Sequence, residues 1–156
     1  MKKIGLIFLT TCMIFGIFTG CSQKAKTISF DLDSLSSQLM DSGAFSDILS
    51  PVDIKIAASQ YGFDAADVTE SKVLCSTQAT TEEIGLFKCS SEDAAARVKT
   101  AAAARVESQR ETYESYAPAE MPKLDDAIVT QNGLYVFYIV SADASKAQAV
   151  LNKQNS

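Results

Sequence analysis

The chain has 156 residues, 47% of them hydrophobic and 21% charged, with 3 Pro and 7 Gly scattered along it. That composition suits one globular domain and excludes a collagen-like chain, a disordered tail or a polytopic membrane protein. The 19 acidic and 14 basic residues give a net charge of -5, which argues against a nucleic-acid partner, and the absence of His removes the commonest general base and metal ligand.

Met1-Lys2-Lys3 is a short positive start. Residues 4–18 form an apolar run broken by Gly5, Thr10, Thr11 and Gly16. A charged start, an apolar stretch and small residues before a cut spell a secretory signal peptide. Thr19-Gly20-Cys21 resembles the bacterial lipobox, with Phe18 standing where Leu is usual. That resemblance implies cleavage before Cys21 and a diacylglycerol on its sulfur. Cys12, after Leu9-Thr10-Thr11, would leave too short an apolar run. The run is also shorter than the ~20 residues a spanning helix needs. The chain therefore divides into a lipoprotein signal peptide over 1–20, a lipidated Cys and tether over 21–29, and a single domain over 30–156. Two acyl chains, at about 0.8 kcal/mol per buried CH₂, hold a protein on a bilayer where one is marginal. Loss of Lys2 and Lys3 from the 14 basic residues leaves 12 against 19 acidic, net -7, so an anionic membrane surface would repel the body.

Leu32, Leu35 and Leu39 recur at helical spacing over 30–40, with Asp31 and Asp33 in the first turn. Ser42-Gly43 ends that helix. Pro51 reads as opening a second short helix, with Ile54, Ala57 and Ala58 inward and Gly62 as its left-handed cap. Residues 64–67 read as a polar connection. Two strand-like runs follow, 71–77 and 83–89. Glu82 and Glu83 are adjacent, so in extended chain they point apart and read as solvated loop charges. Ser90-Ser91-Glu92-Asp93 starts a helix reaching about Tyr116, some 39 Å at ~1.5 Å per residue. Its apolar stripe is Ala95, Val98, Ala102, Val106, Tyr113 and Tyr116, interrupted by Gln109. Pro118 stops it, and 122–126 read as a linker.

Asn132-Gly133 between 127–131 and 134–141 is the strongest short signal for a primed hairpin turn. Tyr135, Phe137 and Ile139 share one face of the second strand; Val136, Tyr138 and Val140 share the other. That pattern fits a central strand covered on both sides, or one face open to a partner. Asp143 begins a last helix with Ala147, Val150 and Leu151 inward. The order predicts an α+β fold: an antiparallel sheet from two β-hairpins packed against one long helix, with short N-terminal and C-terminal helices.

With Cys12 removed and Cys21 acylated, Cys75 and Cys89 remain in a compartment that permits disulfides. A turn centred on Glu82 would pair them. A turn at Ala79-Thr80 would pair Cys75 with Ile84 and carry Cys89 to the opposite face, about 15 Å along. A bridge and two buried thiols both stay open.

Arg105-Val106-Glu107-Ser108-Gln109, Tyr113-Glu114-Ser115-Tyr116-Ala117-Pro118, Leu124 and Asn132-Gly133-Leu134-Tyr135-Val136 carry a family pattern. Over roughly residues 48–143 the chain resembles clostridial lipoproteins that share a domain of unknown function of the DUF4358 kind. The resemblance implies a surface lipoprotein of a Gram-positive-type envelope and carries over no catalytic residue. Tyr113, Tyr116 and Pro118 read as a packing corner. The rings Tyr113, Tyr116, Tyr135 and Phe137 are the candidate interaction surface. Arg105 reads as a solvated side chain or as a buried partner for a carboxylate such as Asp125 or Asp126.

No Ser-His-Asp set, phosphate loop or calcium loop is present, so no catalytic residue, metal or cofactor is expected. The expected function is a non-enzymatic binding or interaction module at the outer face of the cell membrane. It would be tied to the lipid bilayer through acylated Cys21, with an envelope protein or a small ligand as partner. The alternatives are a small solute-binding lipoprotein of a transporter and a carboxylate-based hydrolase of envelope polymers.

Overall fold

Asp31 caps the first helix, α1 (Leu32–Asp41), by accepting from the Ser34 N–H at 2.9 Å. Leu32, Leu35 and Leu39 form its buried stripe, as their spacing predicts. The structure, a computed structural model, describes residues 29–77 and 80–154. The signal-like run and the candidate lipidation site Cys21 lie outside the described residues.

Pro51 does not open a helix. It ends a strand, β1 (Leu49–Pro51), in which Leu49 pairs with Ser76 and Pro51 with Leu74. Three residues are too few to show an alternation, and Pro is tolerated there because β1 is an edge. Asp53 is the true cap of α2 (Ile54–Tyr61), and Gly62 closes that helix at φ 81°. The polar connection contains a short 3-10 turn, Ala65–Asp67. Strands β2 (Val68–Ser76) and β3 (Glu83–Cys89) lead to α3 (Glu92–Tyr116), capped by Ser91. The expected linker is helical instead: a 3-10 turn at Pro118–Glu120 runs into α4 (Met121–Asp125), each with a Pro near its start. Strands β4 (Ile128–Asn132) and β5 (Tyr135–Val140) form the Asn-Gly hairpin, with Gly133 at φ 56°. Helix α5 (Ala144–Gln154) follows.

The five strands form one antiparallel sheet in the order β1-β2-β3-β5-β4. Both faces are covered. On one face, α1 and α5 lay Leu35, Leu39 and Leu151 against Leu86, Phe137 and Ile139. On the other, α2 and α3 lay Ala57, Val98 and Ala102 against Phe87, Val136 and Tyr138. All six residues of β5 are buried, so it is covered on both sides, as is its neighbour β3.

That cover removes two rings from the expected interaction surface. Tyr135 and Phe137 are only 3% and 4% exposed. The ring of Phe30 meets them edge-on at 4.9 and 5.1 Å. Strand alternation correctly placed both rings on one face; the return of the segment before α1 across that face has no local signature.

Gly85 lies on β3 opposite Val73 and Tyr138. A Cβ there would come within 2.8 Å of the Tyr61 hydroxyl and 2.9 Å of the Phe87 ring. Gly85→Ala is therefore expected to destabilise the domain by about 1–3 kcal/mol through overpacking, read as a lower urea midpoint with an unchanged m-value.

Candidate functional site

Glu82 and Glu83 are each 1% exposed, the reverse of solvated loop charges. They still point apart, each into its own cluster of donors, because they begin an extended strand. The Glu83 carboxylate accepts from the Tyr61 hydroxyl at 2.8 Å, from Arg105 Nε at 2.9 Å and from the Cys75 thiol at 3.2 Å. Arg105 Nη2 lies 2.8 Å from the same carboxylate, and Gln109 Nε2 reaches it at 3.4 Å. Gln109 Oε1 accepts in turn from the Tyr138 hydroxyl at 2.9 Å. The Arg105 guanidinium also stacks over the Tyr61 ring, 4.9 Å from its centre.

Glu82 reaches back to the loop before β1. It accepts from the Ser46 N–H at 2.8 Å, from the Asp47 N–H at 3.2 Å and from the Ser46 hydroxyl. Lys123 Nζ, on α4, closes the set at 2.9 Å. Lys123 is shared with Glu120, which also accepts from the Thr81 N–H at 2.9 Å. This cluster ties the loop before β1, the start of β3 and α4 to one another.

Arg105 is thus the partner of a buried carboxylate, but of Glu83 and not of Asp125 or Asp126; Asp125 pairs with Arg110 instead. The sequence held a signal for this. Arg105 and Gln109 stand four apart, where the apolar stripe of α3 gives out, so they share a face of the helix. Gln109 is no interruption: it turns inward to bond the sheet.

Cys75 pairs with Glu83 and Cys89 with Val68, at opposite ends of β3. That places them ~20 Å apart at ~3.3 Å per residue. Both are free thiols, which removes the bridge: Cys89 is a buried small hydrophobe, whereas Cys75 is half-buried and donates to Glu83.

Burial pushes the Cys75 thiol up to about 12, and the Glu83 charge adds to this. Burial likewise pushes Cys89 up to about 11, helped by Asp67. Burial also holds the Tyr61 and Tyr138 hydroxyls well above their ordinary value, again with Glu83 adding. Glu82 moves the other way. Desolvation raises it, but hydrogen bonds from Ser46 and Lys123 outweigh that and hold it below the usual carboxylate range.

These shifts fix the sign of the pH dependence. A thiol whose folded pKa is raised contributes stability that is full below its unfolded pKa and is lost as pH climbs through the folded one. The thiols' contribution should therefore be full below about pH 9 and fall between about pH 9 and 12. Urea midpoints across that range check it, and Cys75→Ser should flatten the fall. At pH 8, both thiols should react slowly with a disulfide reagent until urea unfolds the chain.

Gln60, Cys75, Thr80, Arg105, Gln109 and Tyr113 line a cleft of about 290 Å³ beside Glu83. Tyr113 is half-buried there, and Tyr116, 77% exposed, meets it edge-on at 6.1 Å. Two of the four candidate rings thus sit at or near the cleft, while Tyr135 and Phe137 lie in the core beneath the other face. A wider, shallower groove of about 650 Å³ runs between the end of α2 and α3, past Phe63 and Ala104. Its Arg97 and Asp67 pair with each other, and its walls are otherwise largely apolar.

The chain belongs to the family described as "Domain of unknown function (DUF4358)", which matches residues 42–141. The match takes in the whole sheet, both carboxylate clusters and the cleft, and leaves α1 and α5 outside it. Comparison with curated proteins and with solved structures gave no match.

Proposed function

We propose that this protein is a lipid-anchored, non-enzymatic binding module at the outer face of the cell membrane. The observation that carries the reading is Thr19-Gly20-Cys21 at the end of an apolar run, a short tether ahead of Phe30. Phe30 is already part of the buried core, so the membrane would lie within a few residues of the α1 and α5 face. The cleft at Arg105 and Tyr113 opens on the opposite side of the sheet, among the α2 and α3 layer.

The two buried carboxylates favour binding over hydrolysis. Each is surrounded by donors and paired with a cation, which disfavours a role in passing a proton to a substrate. All described strands belong to one sheet, which favours a single module over a two-lobed clamp. Growth with an alkyne fatty acid tests the anchor. The parent chain and Cys12→Ala should take up label, and Cys21→Ala should not. An unlabelled parent, or label retained by Cys21→Ala, would overturn it.

A further inference from the structure

The two carboxylates that line the cleft are already paired, one by a cation of the cleft wall and one by a cation behind it. Glu83 is held by Arg105 at 2.8 Å, and Glu82 by Lys123 at 2.9 Å. An anionic ligand would face two carboxylates. A cationic one would have to compete with a guanidinium and an ammonium already in place. What the walls leave uncommitted is neutral. Among the described residues, the Gln60 amide and the Tyr113 hydroxyl make no hydrogen bond, and the Thr80 hydroxyl accepts from the Glu82 N–H while its own proton stays available. The Cys75 thiol is kept protonated and donates to Glu83. Val52 and the ring of Tyr113 add apolar surface to the same walls. The volume, about 290 Å³, is at the small end of ligand sites and equals roughly ten waters at ~30 Å³ each.

From this we infer that the cleft binds one neutral sugar ring carrying hydroxyl and amide groups. Gln60, Thr80 and Tyr113 supply its hydrogen bonds, and the Tyr113 ring packs on its apolar face. The Arg105–Glu83 pair acts as a positioning element: it fixes Cys75 and Gln109 around the cleft and excludes charged ligands by leaving no unpaired carboxylate. The inference rests on the reading of this protein as a binding module, and it does not depend on the lipid anchor.

The test is a titration of the full ¹⁵N-labelled chain in a zwitterionic, sugar-free detergent. The probes are N-acetylglucosamine, the cationic glucosamine and the anionic glucuronate. N-acetylglucosamine should shift the signals of Gln60, Thr80, Tyr113 and the Arg105 side chain, and each charged sugar should bind at least tenfold more weakly. Tyr113→Phe and Gln60→Ala should each weaken the neutral sugar by up to about tenfold, the loss of one hydrogen bond, with the rest of the spectrum unchanged. No shift at the cleft, equal binding of a charged sugar, or shifts confined to the groove at Phe63 and Ala104 would overturn the inference. Fatty-acid labelling reads the anchor separately, so sugar binding can fail while the anchor holds, and the reverse.

Discussion

Arg105→Met should destabilise the domain by about 3–5 kcal/mol, because it strips the cation from an almost fully buried carboxylate. The Glu83 side chain is 2% exposed and the Arg105 side chain 18%, so solvent screening does little to soften the loss. Burial works against the Arg105 charge, and the Glu83 carboxylate outweighs it. A domain of this size has roughly 5–15 kcal/mol in all, so the variant would stand close to unfolding at room temperature. The pair need not be a large net source of stability. Replacing both partners, as Glu83→Leu with Arg105→Met, should recover much of the loss. Urea unfolding at pH 7 of the parent, the single and the double variant checks this. A single variant within about 1 kcal/mol of the parent would mean the charge pair is hydrated in solution.

Phe30→Ala should cost about 3–5 kcal/mol, the usual range for emptying an aromatic site in a core. Phe30 precedes α1, yet it is only 6% exposed and lies edge-on to both Tyr135 and Phe137. Its loss uncovers the central strand at the point where the tether joins the domain. Phe30→Leu keeps most of the apolar contact and should lose about half as much or less. Thermal unfolding of the two variants measures the difference, and equal melting temperatures for Phe30→Ala and the parent would refute the assignment of this residue to the core.

Much of the scaffold was legible from residues alone. Period and caps gave α1, α3 and α5, and Asn132-Gly133 gave the second hairpin. These signals are local: a cap needs one hydrogen bond within three residues, and a primed turn needs one glycine. What escaped was set by partners distant in sequence. β1 is too short to show a period and exists because β2 offers it an edge. Glu82 and Glu83 read as surface charges because acids usually are, and their burial depends on Lys123 and Arg105, far along the chain. The same holds for Tyr135 and Phe137, which are covered by Phe30 from the other end of the domain. Arg105 and Gln109 escaped as well, although their signal was local. Two polar residues a helical turn apart, in line with an apolar stripe, already pointed into the fold.

The lipid anchor is tested most directly by the intact mass of the protein extracted from the membranes of its own cells. The expected species is a chain that begins at Cys21 and carries the added mass of a diacylglycerol on that residue. A chain that still begins at Met1, at an unmodified 16.7 kDa, would contradict the anchor.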